Sequence, residues 1–400
     1  MRNIILFDDE NWERLLPLTF AKPVAELRIG IWTIAEKWQF MLGGRVSYIT
    51  QEHLTEKFPI NIQDDNLLIN GAVLPTRELA NLIIHLDVNE ALMNEDELIA
   101  ARFPRAQFEA MQRDEPIQEL QGYPLKDISF VSIEYPWHLF QYSEKAIAAD
   151  FKLVTEGRES DPIHPSNQVL GPENVFIEEG AQVQCATINA ELGPVYIGRG
   201  ATVMEGCMIR GPFVLGDYGV LKMGTKIYGP TSLGPFCTGG GEIKNSVIQS
   251  HTNKAHDGYI GNSVIGSFCN LGAGTGCSNL KNTLSEVRVW SYQANSYIPT
   301  NTSFCGIFMG DHVKTGVNTQ FNSGTIIGFS CNIMGEQTSR KFMPSYTWGT
   351  GQTYQTFQLV KAIEVAKRTT QQKHSHLDHK DEEIMKKIFH LTEKYRSGYQ

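Results

Sequence analysis

The stretch that decides the fold runs from residue 197 to residue 234 and reads IGRGATVMEGCMIRGPFVLGDYGVLKMGTKIYGPTSLG. An aliphatic residue recurs at every sixth position, and a glycine follows the aliphatic at every eighteenth. The series consists of Ile197, Val203, Ile209, Leu215, Leu221, Ile227 and Leu233, with Gly198, Gly216 and Gly234. A helix would repeat near 3.6 residues and a simple hairpin sheet would alternate residue by residue, so neither fits this period.

A period of six within a period of eighteen predicts a parallel β-helix in which three hexapeptides form one coil. One aliphatic side chain per flat face points inward and stacks on its equivalent in the next coil at about 4.8 Å. The series breaks at Gly239-Gly240-Gly241, resumes in another phase at Ile265 and Leu271, and continues more loosely from Phe304 to Met334. Such breaks correspond to loops, commonly on the binding side of a solenoid.

The first 150 or so residues show a different pattern, in which strand-like and helix-like stretches alternate. This alternation predicts an α/β domain with a parallel sheet. The predicted strands are Ile4–Phe7, Arg45–Thr50 and Asn66–Asn70, and the predicted helices are Gly30–Phe40, Glu78–Leu86, Asn94–Arg102 and Trp137–Asp150. A linker is expected at Glu156–Pro165, and helices are expected again at Leu359–Lys367 and Glu382–Tyr395. The predicted domains are therefore an α/β domain at 1–155, an all-β hexapeptide-repeat helix at 166–336 and a helical extension at 356–400.

Composition and charge exclude several classes of partner. The net charge is −9 and no block of lysine and arginine stands out, so neither a duplex nucleic acid nor an anionic membrane is expected as a partner. No run of about 18 apolar residues occurs, and the N-terminal order of apolar and acidic residues does not fit a secretory signal. The seven cysteines contain no C-x-x-C pair, which favours a reduced, cytoplasmic location.

Reactive side chains are concentrated where the repeat is interrupted. Residues 241–282 read GEIKNSVIQSHTNKAHDGYIGNSVIGSFCNLGAGTGCSNLKN. Within about two coils this window holds Lys244, His251, Lys254, His256, Asp257, Tyr259, Asn270 and Asn279. A structural solenoid face does not require so much acid, base and amide chemistry, so we expect a binding or catalytic site here.

This window resembles the acetyltransferase domain of the bifunctional N-acetylglucosamine-1-phosphate uridyltransferase/glucosamine-1-phosphate acetyltransferase (GlmU-like) family. The family stretch has the forms E-x-K, K-A-x-H-x-x-Y and N-I-G-A-G-T, followed by a further Asn. The matching residues here are Glu242-Ile243-Lys244, Lys254 to Tyr259, Asn270 to Thr275, and Asn279. The resemblance implies a left-handed β-helix, acetyl-CoA as acyl donor, an amino-sugar phosphate such as glucosamine 1-phosphate as acceptor, and a homotrimer with sites between subunits.

The resemblance also implies a role for each matched residue. His256 is the expected general base, because imidazole titrates near working pH and a positioned base contributes about 10²–10⁴ in rate. The other expected roles are Asn279 in orienting the base or the amine, Lys244 and Lys222 in binding the sugar phosphate, Tyr259 and Asn270 in binding the sugar, and Ala273 in the acetyl-CoA groove. Lys222 stands where the family has an arginine, so it keeps the charge and loses the bidentate fork.

The chain departs from the family after Asn279. Leu280-Lys281-Asn282 replaces the family's Y-D-G-x-x-K, and about twenty residues, Thr283–Asn301, are inserted before the coils resume. The acyl acceptor is therefore left open. A zinc site using His251 and His256, as in γ-type carbonic anhydrases, is a minor alternative, and no metal is predicted. His374, His376 and His379 fit a solvated polar tract better than a metal site.

The N-terminal region resembles a short, divergent sugar nucleotidyltransferase domain. The resemblance rests on Leu15–Ile31, on the strand and turn Leu67–Pro75, and on Pro136-Trp137-His138-Leu139. The family's glycine-rich phosphate loop is replaced by Phe7-Asp8-Asp9-Glu10, which would repel a triphosphate. The family's Mg²⁺-binding aspartate is also lost. This chain has Asn70-Gly71 at that place, and the neutral amide is a poorer ligand for Mg²⁺.

Two readings of the N-terminal domain follow, nucleotidyl transfer with Mg²⁺ or a degenerate domain that helps assembly or regulation. Phosphate contacts would fall to Lys22, Arg28 and Arg77, for each of which a surface or salt-bridging role is the competing interpretation. For the whole chain, the predicted function is N-acetyl transfer to an amino-sugar phosphate, with possible coupling to a nucleotide. The alternative is a catalytically silent sugar-nucleotide-binding or scaffolding trimer.

Overall fold

The computed structural model describes residues 2–113, 115–126, 128–335, 340–350 and 353–398. These residues form two compact units. The first contains residues 2–15, 22–27 and 32–134, and the second contains residues 16–21, 28–31 and 135–398. The predicted domain boundary at 336 lies outside the described residues. No described helix is both long enough and apolar enough to cross a bilayer.

The first unit is built on a six-stranded mixed sheet. Its strands, in spatial order, are Gly44–Ile49, Arg2–Phe7, Asp65–Asn70, Glu97–Pro104, Glu90–Asn94 and Gln121–Pro124. The first three are parallel, as predicted, whereas Glu97–Pro104 runs antiparallel to both of its neighbours. The helices are Asn11–Arg14, Ile34–Leu42, Arg77–Ile84 and Arg105–Gln112, with 3₁₀ turns at Val24–Glu26 and Glu52–Leu54. Short strands lie at Trp32–Thr33, Val73–Leu74 and Val131–Ser132.

The predicted helix at Asn94–Arg102 is wrong, because most of this segment is the strand Glu97–Pro104. Its alanines and leucine favour a helix, but it pairs on both sides, and three consecutive residues, Ile99 to Ala101, are fully buried. Tertiary pairing therefore overrides the weak helical preference. The same hairpin makes the sheet mixed rather than parallel.

The second unit is a parallel β-helix of the predicted left-handed class, with three flat faces. The first face contains Gln168–Leu170, Thr187–Asn189, Met208–Arg210, Lys226–Tyr228, Glu242–Lys244, Tyr259–Gly261, Gly276–Cys277 and Gln320–Phe321. The second contains Val175–Ile177, Val195–Ile197, Phe213–Leu215, Thr231–Leu233, Val247–Ile248, Val264–Ile265, Ile307–Met309, Thr325–Ile327 and Phe342–Met343. The third contains Gln182–Val183, Thr202–Val203, Val220–Leu221, Thr238–Gly239, Asn253–Lys254, Lys314–Thr315, Asn332–Met334, Thr347–Thr350 and Tyr354–Thr356.

The six-residue series supplies the solenoid core. Ile197, Leu215 and Leu233 are fully buried and pair rung by rung on the second face. The other members of the series occupy equivalent inward positions on the remaining two faces. Between residues 197 and 233 each coil thus buries one aliphatic per face, which is the arrangement that the spacing predicted.

Helices and a hairpin complete this unit. The helices are His138–Gln141, Ser143–Thr155, Leu359–Gln372 and His379–Leu391, with 3₁₀ turns at Pro172–Asn174 and Glu393–Arg396 and a short strand at Arg28–Ile29. Within the insertion Thr283–Asn301, the strands Arg288–Ser291 and Ser296–Pro299 form an antiparallel hairpin. The phenol of Tyr346 donates to the carbonyl of Met385 at 2.6 Å, which ties the last helix to the solenoid.

Candidate active site

The site region begins at a shortened corner between the third and first faces. Only Gly240 and Gly241 separate Gly239 on the third face from Glu242 on the first, whereas four residues separate Lys254 from Tyr259 one coil further on. A Cβ atom on Gly240 would lie 2.2 Å from the carbonyl oxygen of Ala255. The glycines therefore allow the next corner, residues 255–258, to lie directly against this one. We call residues 255–258 the His256 corner.

A buried lysine holds these two corners together. Lys254 pairs with Gly239, so its side chain takes an inward position that an aliphatic would normally occupy, and it is 1% exposed. Its ammonium donates to the carbonyl of Gly240 at 3.1 Å and to the carbonyl of His256. Burial lowers the pKa of Lys254 to about 8, against the opposing effect of Asp257. Such a group is costly to bury, so its two hydrogen bonds matter for the shape of the His256 corner.

The His256 side chain itself is exposed on this corner. The corner departs from the resemblance in one respect, because the family form K-A-x-H-x-x-Y has a residue between alanine and histidine that this chain lacks. The spacing from His256 to Tyr259 is kept. His256 therefore stands three residues before Tyr259, which begins the next strand of the first face.

Next to this corner, the first face carries a cationic side chain between two aromatic rings. The ammonium of Lys244 lies 5.6 Å from the ring centre of Tyr228 and 5.8 Å from that of Phe304, within cation–π range. The Tyr228 phenol donates to Glu242, and burial together with this carboxylate raises the pKa of Tyr228 to about 12. Lys244 is thereby fixed on the outer surface of the first face, where an anionic ligand can reach it.

Tyr259 lies on the same face one coil beyond Lys244, and Asn279 follows the first-face strand Gly276–Cys277 of the next coil. A Cβ on Gly261 would lie 2.1 Å from the Tyr259 hydroxyl, so the phenol extends over this glycine. Burial, then the neighbouring Tyr228, raises the pKa of Tyr259 above its ordinary 10, and a hydrogen bond from Asn279 opposes the rise. The Asn279 amide also donates to Asn262 Oδ1 at 2.8 Å. These contacts group the predicted residues Lys244, Tyr259 and Asn279 around Tyr228, in coils next to the His256 corner.

Three other predicted residues lie further away. Lys222 is exposed on the same edge as His256, two coils earlier, which at about 4.8 Å per coil is roughly 10 Å along the axis. Ala273 stands one coil beyond His256, and its carbonyl accepts from the backbone N–H of Asn318 at 2.7 Å. Asn270 lies on the third face, between Asn253 and Lys314, and not on the face of Tyr259.

The histidines outside this corner occupy separate places. His251 stacks between Phe236 and Phe268 at the corner between the second and third faces, so it is on a different edge from His256. His376 and His379 line a cavity beside the last two helices. The described residues contain no group of three or more His, Cys, Asp or Glu side chains that could hold a metal ion.

In the first unit, the residues replacing the nucleotidyltransferase motifs form a carboxylate-rich loop. The Asn70 amide donates to Asp9 at 2.8 Å and to Glu97 at 3.1 Å. Burial raises the pKa of Asp8 to about 7, while hydrogen bonds from Thr50 and the Val24 backbone oppose the rise. The neutral Asn70 thus separates two carboxylates in place of a metal-binding aspartate.

The three cations proposed for phosphate contacts are dispersed. Lys22 is partly buried in the first unit, and Arg77 is exposed at the start of its helix. Arg28 belongs to the second unit, where its backbone N–H donates to Gln249 at 2.7 Å and its guanidinium donates to the carbonyl of Ile31. The buried position of Arg28 gives it a structural role in the second unit.

Sequence reasoning missed the contributions of Tyr228 and Phe304 to this site, and the inward position of Lys254. Tyr228 pairs with Lys244 although only sixteen positions separate them, because the triglycine corner shortens that coil by two residues. Phe304 follows the insertion, so no spacing rule connects it to Lys244. The inward position of Lys254 could have been found by aligning it with Leu221 and Gly239 in the repeat.

Parts of the chain are similar to known proteins. Residues 4–159 match the family model described as sugar nucleotidyl transferase. A segment of 92 residues is 36% identical to the bifunctional protein GlmU of Methanocaldococcus jannaschii and covers 23% of this chain and 22% of that protein. A segment of the same length is 37% identical to the bifunctional sugar-1-phosphate nucleotidylyltransferase/acetyltransferase of Sulfurisphaera tokodaii, with the same two coverages.

A longer match, 30% identical over 179 residues, is to the bifunctional protein GlmU of Mycobacterium bovis strain BCG, and covers 44% of this chain and 30% of that protein. The matched segments thus span about a fifth to a third of the length of these relatives. The family-model match, the curated relatives and the β-solenoid all fit a GlmU-like bifunctional family.

Proposed function

We propose that the solenoid transfers an acetyl group from acetyl-CoA to the amine of an amino-sugar phosphate such as glucosamine 1-phosphate. The observation that carries this proposal is the grouping of Lys244, Tyr259 and Asn279 at the first face, in coils next to the corner that exposes His256. This face offers a cation for a phosphate, a phenol and an amide for sugar hydroxyls, and an adjacent base for the amine. The curated relatives include a protein named as a nucleotidylyltransferase/acetyltransferase, which supports the same chemistry.

The reaction would follow from these positions. The amine nitrogen of the sugar attacks the thioester carbonyl of acetyl-CoA, forming the amide bond as the carbon–sulfur bond breaks. His256 accepts the proton that the amine loses, and the coenzyme A thiolate leaves. Asn279 orients the amine or the base, and Lys222 adds positive charge on the same edge. The small residues around Ala273 provide a shallow corner along which the acyl donor would lie.

One chain does not bring all the predicted site residues together, and this supports a homotrimer as part of the proposal. Asn270 faces outward from the third face, whereas Tyr259 and Lys244 face outward from the first. Around a threefold axis the third face of one copy can approach the first face of another, so Asn270 would be supplied by a neighbouring copy. The cytoplasmic location is also retained as part of the proposal, since all seven cysteines are unpaired thiols.

Nucleotidyl transfer is a second candidate, favoured by the family-model match to residues 4–159. Mg²⁺ would be a cofactor only of this nucleotidyl transfer. The carboxylates of Asp9 and Glu97 are suitable oxygen ligands, but both already accept hydrogen bonds from Asn70. A degenerate domain that supports assembly remains the competing proposal for this unit.

The decisive experiment measures thiol release from acetyl-CoA with a panel of amino-sugar phosphates. The His256→Ala variant should lose about 10²–10⁴ in rate, the contribution of a positioned base. His256 is exposed, so its truncation should leave the thermal unfolding temperature nearly unchanged. Lys226→Ala, an exposed lysine on the first face, is a matched control expected to retain activity.

Two results would overturn the assignment. Full activity in the His256→Ala variant would remove the base from the mechanism. No turnover by the parent protein with any acceptor would favour the catalytically silent, sugar-nucleotide-binding or scaffolding trimer.

A further inference from the structure

A second polar cavity lies within the second unit, away from the His256 corner. It has a volume of about 440 Å³ and is bordered by the third face of the solenoid and the end of the helix Leu359–Gln372. Its lining residues are His251, Asn253, Cys269, Asn270, Lys314, Thr369, Gln372 and Lys373. This volume is in the range of small-molecule sites, about 300–1,000 Å³.

The cavity concentrates positive charge. The Lys314 ammonium donates to the carbonyl of Phe268 at 2.5 Å, and the Lys373 ammonium donates to the carbonyl of Phe236 at 2.9 Å and to Asn253 Oδ1 at 2.6 Å. Within the described parts of the chain, neither ammonium is paired with a carboxylate. Two cations that share a cavity with no acidic partner leave a net charge that an anion would balance.

Burial makes the positive charge of this cavity energetically unfavourable when no anion is bound. Burial lowers the pKa of Lys314 to about 8 and lowers that of Lys373 in the same direction. The same environment acts on His251. Burial, and to a lesser extent the positive charge of Lys373, lowers the pKa of His251 to about 4. The imidazole is therefore neutral near pH 7, and one ring nitrogen can donate a hydrogen bond.

Uncharged polar groups complete the lining. The Asn253 amide donates to Asn270 Oδ1 at 3.4 Å, so the two amides lie side by side on the third face. The Nδ1 atom of His251 is buried and has no hydrogen-bond partner among the described residues. A buried polar atom without a partner is unusual in a folded protein, and His251 is one of the residues that line this cavity.

We propose that this cavity binds the phosphate group of a small-molecule ligand, held by Lys314 and Lys373 with support from Asn270 and His251. Ammonium groups suit a phosphate because they form charge-assisted hydrogen bonds to its oxygens. The site is separate from Lys244, which faces outward from the first face. Asn270 is shared with the acetyl-transfer site proposed between copies, but the two lysines and the cavity belong to one chain, so phosphate binding here does not require acyl transfer.

The test titrates inorganic phosphate into the full-length protein by isothermal titration calorimetry. The parent should bind phosphate, and Lys373→Gln should weaken binding at least tenfold, because it removes a charge-assisted hydrogen bond to the phosphate. Lys361→Gln removes the same charge from the same helix, about 18 Å away at 1.5 Å per residue, and should bind as the parent does. Lys373→Arg should retain binding.

Because Lys373 also ties the helix to the solenoid, Asn270→Asp provides a second variant that leaves those contacts intact. It adds a negative charge to the cavity and should weaken phosphate binding by a similar factor. Equal affinity in the parent, Lys373→Gln and Asn270→Asp would overturn the proposal, as would the absence of binding by the parent at millimolar phosphate.

Two further titrations identify the source of the phosphate. Tighter binding of coenzyme A than of its dephospho form, lost in Lys373→Gln, would assign the cavity to the coenzyme. Tighter binding of glucosamine 1-phosphate than of glucosamine, lost in the same variant, would assign it to the sugar. Either result supports the proposal and can be obtained with the His256→Ala variant, so a failure of acyl transfer does not affect it.

Discussion

We predict that the buried charge of Lys254 makes the free energy of unfolding depend on pH. Its pKa in the folded chain is about 8 and its ordinary value is 10.5. Between these values the unfolded chain holds a proton that the folded chain has released, so the free energy of unfolding should rise with pH. At about 1.4 kcal/mol per pKa unit, the full rise from this group is about 3 kcal/mol.

Replacing Lys254 by Met removes this dependence and keeps the approximate side-chain volume. The free energy of unfolding should be measured by urea titration at several values from pH 7 to 10.5, and the parent-minus-variant difference should increase with pH. Lys314 has a similarly lowered pKa, but it is present in both proteins and cancels. Lys222→Met is the matched control, since it removes an exposed lysine on the same edge and should show no such trend.

At neutral pH the substitution has opposing effects on stability. Removing the buried charge gains about 3 kcal/mol, while the carbonyls of Gly240 and His256 each lose a donor, costing about 1–3 kcal/mol apiece. The net change therefore lies between a gain of about 1 kcal/mol and a loss of about 3 kcal/mol, and acetyl transfer should fall because the His256 corner loses its anchor. A parent-minus-variant difference that stays constant from pH 7 to 10.5 would refute the assignment of Lys254 as a buried cation.

Three further predictions concern the core and the first face. Ile243→Ala, at a fully buried position, should lower the free energy of unfolding by about 2–5 kcal/mol in urea titrations, and a loss below 1 kcal/mol would contradict the inward stacking. Phe304→Ala removes one ring beside Lys244 and should raise KM for the sugar phosphate two- to fivefold, as expected for about 0.5–1 kcal/mol at an exposed site, with kcat unchanged. Gly261→Ala places a Cβ 2.1 Å from the Tyr259 hydroxyl, so the phenol must move. KM should increase with little change in Tm, and an unchanged KM would exclude Tyr259 from the sugar site.

Several features of the fold could be predicted because they depend on local periodicity. The coil of the solenoid follows from the six-residue series, since inward and outward side chains alternate along each short strand and only the inward ones are buried. The parallel strands Arg2–Phe7, Gly44–Ile49 and Asp65–Asn70 were predictable as apolar runs within two residues of their ends. The strand Glu97–Pro104 was not, because its pairing partners and not its own composition decide its conformation.

In the candidate site, too, some features could be predicted from the sequence and others could not. The sequence by itself determined that His256, Tyr259 and Lys244 occur in neighbouring coils, because the repeat fixes the order of coils and the motif fixes the spacing within them. Only the tertiary structure decided that Lys254 points inward, that Phe304 returns from the insertion to the Lys244 side chain, and that Asn270 lies on another face together with Lys373 from a helix about a hundred residues later. The reason is that coil corners of unequal length and long insertions change which side chains meet, and such contacts depend on the packing of segments that are remote in sequence.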